Sequence, residues 1–304
     1  MDAATLKKIE RLTLATRRRV DAQLAGEYRS AFRGQGMEFE EVRRYTPGDD
    51  VRAIDWNVTA RSSDPYIKLF REERELVVWV VADGSGSMRF GTRSPAKAEL
   101  AAHAAAVFTF TAIGSRDRVG LVTFGSGAGV QAVPPRRGRR HGMRVIRDVV
   151  ADQAAAAPGG PAAGRGGSGG LAEALRRVSA SAVHRSVVVV IGDFLDSGPG
   201  ERAALKRLLS KHDVVPVVVA DAAESALVDV GLLEVVDAET GRRGWLDTSS
   251  RRVRRRYAEA AAEAEARRVA LFRGLRLTPL RLETGADPMP VIERYLRRRE
   301  GAAR

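Results

Sequence analysis

LVVWVVADGSGSM, residues 76–88, is the stretch that decides the fold of this chain. Seven apolar residues run without interruption up to Asp83, which is typical of a strand buried on both faces of a parallel sheet. The glycines and serines that follow predict a turn at the carboxyl end of that strand. Because ligands of open α/β sheets bind beyond the carboxyl ends of the strands, this turn is the first candidate for a functional site.

Strands and helices alternate after this stretch. The pattern predicts a helix over 95–113, a strand over 119–124, and further apolar strands that end near Asp193 and Asp221. A β-hairpin is predicted near 234–247, and a basic helix closes the chain. This succession of βα units predicts a doubly wound α/β domain with a mostly parallel sheet over residues 76–304.

Residues 1–75 have a different pattern. An amphipathic helix is predicted over 5–24, with apolar residues on one face and basic residues opposite. Short extended pieces and glycine- or proline-containing turns follow. We therefore expect residues 1–75 to form an N-terminal segment of helix and short strands, distinct from the α/β domain.

Composition and charge narrow the functional classes. The chain has 304 residues, of which 51 are Lys or Arg and 38 are Asp or Glu, for a net charge of +13 and no cysteine. The lack of cysteine excludes disulfides, thiolate metal sites and cysteine nucleophiles. No apolar run reaches the roughly 18 to 20 residues that span a bilayer, and the charged N-terminus lacks a secretory signal. We therefore expect a cytoplasmic protein without a membrane span.

Oxygen donors follow two of the predicted strands. Asp83, Ser85 and Ser87 alternate along the turn after the first strand, and Asp193 ends a later one. Hard oxygen ligands of this kind suit Mg²⁺, or Mn²⁺, better than zinc or copper. Taken alone, the Asp-x-Ser-x-Ser pattern is short, and a purely structural turn explains it equally well.

Several enzyme classes lack their motifs. The sequence contains no Gly-Lys pair, which excludes a phosphate-binding P-loop, and no Gly-x-Ser-x-Gly nucleophile turn. A haloacid-dehalogenase-type phosphatase needs a second carboxylate at the position of Ser85. The four histidines are dispersed. We expect a noncatalytic protein, with a metal-dependent hydrolase as the alternative.

Nucleic-acid binding through arginine-rich patches is a second alternative. Basic runs occur at 136–140, 251–256 and 297–299, but the aromatic residues, 6% of the chain, are not interleaved with them as base-stacking platforms would be. Residues 251–304 hold 15 Arg against 7 acidic residues, and so supply +8 of the +13. We therefore expect this local excess of positive charge to bind an acidic protein surface.

The position of the oxygen donors resembles a known metal site. Asp-x-Ser-x-Ser directly after the first strand, with a later strand-end Asp, is similar to the metal-ion-dependent adhesion site of von Willebrand factor A-like domains. The resemblance implies that Ser85 and Ser87 ligate the metal directly, and that Asp83 and Asp193 hold it directly or through water. It also implies a threonine in the loop before the helix at Leu171; here Ser168 is the nearest hydroxyl, whereas strict spacing to Leu171 points to Gly169.

The upstream segment carries a longer resemblance. Residues 34–75 combine Glu-Phe, Arg-x-Tyr-x-x-Gly-Asp-Asp, Arg-x-Ile-Asp-Trp and Ala-Arg elements ahead of the strand, which closely resembles the bacterial domain of unknown function 58. The residues of this family motif, which we consider for interaction, are Arg44, Gly48, Asp49, Asp50, Arg52, Asp55, Trp56 and Arg61. The resemblance implies partnership with MoxR-type AAA+ ATPases and an adaptor role in protein assembly or remodelling. A partner carboxylate would then complete the coordination of the metal.

The charged element from Gly48 to Trp56 has two interpretations. In the first, its acidic residues and Arg52 lock the upstream segment in place, and Trp56 is a buried apolar anchor. In the second, the element is a further surface for a partner. A buried tryptophan would contribute a few kcal/mol to stability, and an exposed one would not.

Overall fold

The structure, a computed structural model, describes residues 16, 20, 22–32, 37–61, 64–72, 76–155, 170–195, 198–237 and 241–302. Two compact units divide the chain: residues 33–75 form the smaller one, and Met1–Phe32 together with Leu76–Arg304 form the larger one. The helix predicted over 5–24 lies almost entirely outside the described residues, and so does Ser168.

The smaller unit is an antiparallel hairpin with two short helical turns in its connection. Helix α1 (Ala22–Phe32) precedes the hairpin in the chain and belongs to the larger unit. The hairpin itself consists of β1 (Met37–Arg44), the one-turn helix α2 (Trp56–Thr59) and β2 (Tyr66–Glu72). Carboxylates begin both turns: Asp50 accepts from the amide of Arg52, and Asp55 accepts from the amides of Asn57 and Val58 in α2. Such caps satisfy amide groups that a helix start leaves free.

The larger unit alternates strands and helices along most of its length. After α1 it contains β3 (Val77–Asp83), α3 (Lys97–Gly114), β4 (Arg118–Phe124), β5 (Gln131–Arg136), α4 (Arg139–Ala155), α5 (Leu171–Ser181), β6 (Val187–Gly192), α6 (Pro199–Leu209), β7 (Asp213–Ala220), β8 (Leu232–Val236), β9 (Arg243–Asp247), α7 (Arg251–Gly274), β10 (Leu280–Glu283) and α8 (Met289–Ala302). Over the described residues, no helix is both long and apolar enough to cross a membrane.

Six strands form the central sheet in the order β10-β7-β6-β3-β4-β5, and all are parallel except β5. Alternate residues of β3 point to opposite faces: Val78, Val80 and Ala82 pack with α1, α3, α4 and α8, whereas Trp79 and Val81 pack with α5, α6 and α7. A strand covered on both faces needs an uninterrupted apolar sequence. The predicted doubly wound, mostly parallel α/β fold is confirmed.

Asp221 joins three loops at the carboxyl edge of this sheet. Its carboxylate accepts hydrogen bonds from the amide (2.8 Å) and hydroxyl (2.8 Å) of Thr92, the hydroxyl of Thr284 (2.6 Å) and the amide of Ala223 (2.8 Å). Burial alone would raise the pKa of this carboxyl, but the hydrogen bonds from Thr284 and Thr92 outweigh it and lower the pKa to about 2. Four donors to one carboxylate fix the loops that surround the candidate site.

We expect Asp221→Asn to lower the free energy of unfolding at pH 7 by about 2 kcal/mol, because the folded state holds this carboxylate ionised below its ordinary range. The depressed pKa stabilises the fold above the ordinary value of 3.8, and that contribution is lost as the pH falls towards about 2. Urea unfolding between pH 7 and pH 2 measures the difference. The control is Asp148→Asn, which removes a carboxylate paired with arginines at the surface. An equal loss in both variants, or a loss that persists at pH 2, contradicts the assignment.

Candidate functional site

The turn after β3 brings three predicted donors together. Asp83 ends the strand, and its Oδ1 accepts from the amide of Ser85 at 2.8 Å. Ser85 in turn precedes a single 3-10 turn, Gly86–Arg89, and its hydroxyl lies 3.1 Å from that of Ser87. Met88 is fully buried and anchors this turn in the core, so the serines above it are held by packing as well as by hydrogen bonds.

Glycines allow the strands and the helix behind the turn to approach closely. A Cβ atom at Gly84 would lie 2.1 Å from Oδ2 of Asp152 on α4, and one at Gly192 would lie 3.1 Å from Oδ2 of Asp83. Gly192 ends β6, the neighbour of β3, so Asp83 lies directly against the adjacent strand. Burial raises the pKa of the Asp152 carboxyl. The Ser126 hydroxyl, which donates to this carboxylate at 2.6 Å, lowers the pKa by a smaller amount.

Asp193 completes the predicted set from the end of β6. Its side chain is almost fully buried, the Ser87 hydroxyl hydrogen-bonds to it, and its Oδ1 accepts from the amide of Leu195 at 3.2 Å. Four of the five predicted donors, Asp83, Ser85, Ser87 and Asp193, thus form one continuous cluster at the carboxyl edge. The fifth, Ser168, lies outside the described residues.

A buried lysine shares this cluster. Lys97, at the start of α3, is 0% exposed, and its Nζ donates to Oδ2 of Asp193 at 2.8 Å and to Oε1 of Glu224 at 2.5 Å. Burial alone would lower the pKa of this ammonium, but the charges of Asp193 and Glu224 raise it above its ordinary value. Burial alone would raise the pKa of the Asp193 carboxyl, but the charge of Lys97 and its hydrogen bond lower that pKa below its ordinary value. Both groups are therefore charged at neutral pH.

Sequence analysis did not identify Lys97 or Glu224 as parts of the site. They lie 127 residues apart in sequence, and only the parallel sheet brings their loops together. One signal was available: the chain has only six lysines among 51 basic residues, and one of them begins the helix after the Asp-x-Ser-x-Ser turn. The compact lysine ammonium has three donors and can serve both carboxylates at once.

The donor set suits a hard divalent cation. Two carboxylates and two hydroxyls are ligands that Mg²⁺ accepts together with water. Within the described residues, no group of three or more His, Cys, Asp or Glu side chains is gathered as a metal site would require, so the serine hydroxyls are essential to any such site. One oxygen of Asp193 is already bound to the Lys97 ammonium, which repels a second cation nearby.

A groove of about 740 Å³ borders the cluster. Ser87 and Glu224 line it on the side of the cluster. Helix α7 forms another wall with Tyr257, Ala258, Ala261, Ala262 and Arg268. Arg268 is buried and donates to the backbone carbonyl of Asp193 at 2.7 Å, so α7 is fixed directly to the strand end that carries the site.

The family-motif residues are used locally within the smaller unit. Asp49 pairs with Arg43 through two hydrogen bonds of 2.8 and 2.9 Å, and Arg44 pairs with Asp64 at 3.1 Å. Gly48 has φ +111°, a conformation that favours glycine. Arg52 and Arg61 are exposed.

The interpretation of Trp56 as a buried anchor is wrong. Its side chain is 70% exposed, because it begins a one-turn helix that has no buried residue. The buried member of this element is Asp55, whose carboxylate caps that helix. Val51 is exposed as well, and the second interpretation, a surface for a partner, stays a prediction.

Sequence comparison identifies relatives over nearly the whole chain. A family model described as "Protein of unknown function DUF58" matches residues 41–267. Uncharacterized proteins of Mycobacterium bovis and Mycobacterium tuberculosis are each 36% identical over 304 residues, covering 99% of this chain and 90% of theirs.

Structural comparison finds more distant likenesses. An aerotolerance-related membrane protein from Bacteroides fragilis aligns with a TM-score of 0.42 at 14% identity, covering 75% of this chain and 99% of that chain. A von Willebrand factor type A protein from Catenulispora acidiphila aligns with a TM-score of 0.37 at 12% identity, covering 78% and 44%. At these scores, the function must be argued from the side chains of this chain itself.

Removing the buried ammonium should destabilise the larger unit strongly. Lys97→Met keeps most of the side-chain volume but leaves Asp193 and Glu224 without their counter-charge, and we expect a loss of about 3 to 5 kcal/mol in the free energy of unfolding. Chemical denaturation followed by circular dichroism measures it. Lys206→Met, at an exposed position of α6, is the matched control and should change stability by less than about 0.5 kcal/mol. A similar small change in Lys97→Met would show that the buried ion pairs do not organise the fold.

Proposed function

The chain belongs to the DUF58 family, and on that premise we propose that it is a noncatalytic protein-binding adaptor that works with a MoxR-type AAA+ ATPase in protein assembly or remodelling. The observation that supports this proposal is the cluster of Asp83, Ser85, Ser87 and Asp193 at the carboxyl edge of the sheet, where α/β domains bind their ligands.

In this proposal, Asp83, Ser85, Ser87 and Asp193 hold Mg²⁺, for which Mn²⁺ can substitute, and Ser168 is a further candidate ligand. A bound Mg²⁺ supplies an open coordination position that an oxygen from outside can complete. Asp193 is fixed by Lys97 and Leu195, which leaves Asp83 and the two hydroxyls as the more adaptable ligands. The natural complement is an Asp or Glu of the partner.

The groove beside the cluster is proposed to receive the segment that carries this carboxylate. Its alanine-rich wall on α7 has short side chains that let a backbone approach, and Ser87 at its end belongs to the metal-binding set. The rim charges are largely occupied inside the chain: Arg268 pairs with Glu265, and Arg281 pairs with Glu265 and Glu283. Arg267 also lines the groove, and its side chain is 63% exposed in a 3.9 Å contact with Glu263, so an entering carboxylate meets one weakly paired arginine as well as the proposed metal site.

Pairing inside the chain weakens the case for nucleic-acid binding through the arginine-rich runs. Several of their members are already paired inside the chain, with Arg254 bound to Asp229, Arg299 to Asp213 and Arg297 to Glu27. Paired guanidiniums release few counterions on binding phosphates. Nucleic-acid binding would appear as an affinity that falls steeply with salt and does not depend on the metal.

Metal binding by the cluster is tested with Mn²⁺ as the probe. Ser87→Ala removes one hydroxyl ligand, and we expect the Mn²⁺ dissociation constant, measured by electron paramagnetic resonance, to rise about tenfold or more. Ser210→Ala deletes the same atom at an exposed position and should leave the constant unchanged. If the wild type binds no Mn²⁺, or if both variants bind equally, the metal site is not where we propose it.

Partner capture is tested with a purified MoxR-type ATPase from the same genome. The wild type should retain the ATPase in Mg²⁺ and lose it in EDTA. Asp83→Ala should lose it in both, since that carboxylate is a proposed ligand. Retention in EDTA, or by Asp83→Ala, would rule out metal-mediated docking even if the two proteins associate.

The role of the groove is tested separately from the metal. Ala261→Arg fills the groove with a long side chain, and we expect ATPase capture to weaken about tenfold or more while Mn²⁺ binding stays unchanged. Ala266→Arg makes the same change at an exposed position of α7 outside the groove lining and serves as the control. Equal capture by the two variants would place the docking surface elsewhere.

A further inference from the structure

The hairpin of β8 and β9 exposes several large apolar side chains. Across the described residues these strands pair only with each other, in the register Leu232↔Asp247 to Val236↔Arg243. Leu232, Val236 and Trp245 share one face and are 65%, 45% and 68% exposed. Two-stranded ribbons are marginally stable in water by themselves, and apolar patches of this kind mark interaction sites.

The hairpin is nevertheless firmly attached at its base. Thr248 is fully buried, and its hydroxyl donates to the carbonyl of Gly231 at 2.6 Å and accepts from the amide of Val230 at 2.9 Å. Arg254 of α7 donates to the carbonyl of Thr248 and pairs with Asp229 at 2.9 Å. A ribbon held in this way presents β9 as a pre-organised strand edge.

The hydrogen-bond pattern shows which residues of β9 direct their backbone N–H and C=O groups away from β8. The amide of Thr248 donates to Gly231 at 2.8 Å, and the amide of Asp237 donates to Arg242 at 2.8 Å, one at each end of the ladder. Antiparallel ladders alternate between bonded and non-bonded pairs. The residues between these ends that direct their backbone groups away from β8 are Arg243, Trp245 and Asp247.

We propose that this outer edge of β9 pairs antiparallel with β9 of a second copy of the chain. A two-fold axis at Trp245 sets Trp245 opposite Trp245, and Arg243 opposite Asp247 in both directions. These three positions are the ones whose backbone groups face outward, so the pairing supplies about six backbone hydrogen bonds. The sequence RGWLD is self-complementary in charge about its central residue. Opposite charges and aromatic pairs directly across a ladder stabilise it.

The other edge of the hairpin does not offer this complementarity. The outward positions of β8 are Leu232, Glu234 and Val236, and a two-fold pairing centred on that strand would set Glu234 opposite Glu234. Like charges directly opposite destabilise a ladder. Pairing β8 of one copy with β9 of the next is a head-to-tail contact that builds filaments rather than a closed dimer.

The charges at the β9 edge are available for the second copy. Hydrogen bonds from the hydroxyl and amide of Ser249 orient Asp247 and lower the pKa of its carboxyl, so Asp247 is ionised at neutral pH. Arg243 contacts Glu234 at 3.4 Å, and both side chains are well exposed. Breaking the exposed Arg243–Glu234 pair so that Arg243 can bind Asp247 of a second copy therefore costs little free energy.

Charge reversal in two separate chains tests the proposal. Arg243→Asp alone and Asp247→Arg alone each set two like-charged pairs across the axis, and we expect each to weaken dimerisation about tenfold or more by analytical ultracentrifugation. An equal mixture of the two variants restores both attractive pairs and should dimerise like the wild type. Arg252→Asp makes the same charge change outside the hairpin and should remain dimeric. A wild type that is monomeric at all concentrations, or a mixture that does not recover, overturns the proposal.

Cysteine cross-linking tests the register. The chain contains no cysteine, so a single introduced one gives an unambiguous product. In the proposed dimer the two Cα atoms at position 245 lie about 5.5 Å apart, within the range of a disulfide, and those at position 234 lie about 14 Å apart. Trp245→Cys should therefore cross-link on mild oxidation, and Glu234→Cys should not. The reverse result, or no cross-link from either in a dimeric sample, overturns pairing through β9.

Discussion

The Lys97 ammonium lies fully buried between the carboxylates of Asp193 and Glu224, and the carboxyl edge of the sheet is organised around that charge. A buried charge is tolerated only when it is paired and hydrogen-bonded, so α3, the end of β6 and the turn after β7 must keep their relative positions. Ser87 is bound to the same Asp193, which extends this constraint to the turn after β3. The geometry of the candidate site is therefore a consequence of an internal ion pair.

Much of this arrangement could be predicted from sequence, and the reason is geometric. An uninterrupted apolar run of this length is typical of a strand covered on both faces, and parallel strands bring their carboxyl ends to one edge; on these grounds Asp83 and Asp193 are expected at the same edge. Lys97 and Glu224 are not, because nothing local distinguishes a lysine at a helix start from a solvated one. Its contacts with Asp193 and Glu224 span 96 and 127 residues and depend on loop paths that periodicity does not encode.

In the smaller unit, a charged side chain is buried and an aromatic side chain is exposed. One interpretation of the motif had Trp56 as a buried anchor, but Trp56 is 70% exposed and Asp55 is buried. The requirement for hydrogen bonds explains the inversion. A one-turn helix leaves several amides unsatisfied, and a buried capping carboxylate satisfies them more effectively than an apolar side chain can. The carboxylates of the motif around Gly48 thus bind the local backbone and neighbouring side chains of the smaller unit.

The buried ammonium also limits how tightly the proposed metal site can bind. A cation added beside Asp193 has to share that carboxylate with Lys97 and is repelled by it, so a single site of this composition is weak. A dimer formed through β9 would carry two such sites. If the partner also has repeated subunits, binding at one site would hold the second site close to a second subunit. The overall affinity would then rise although each individual site binds no more tightly. In such a dimer, the number of sites would offset the weakness that Lys97 imposes on each proposed site, while the same lysine fixes the position of Asp193.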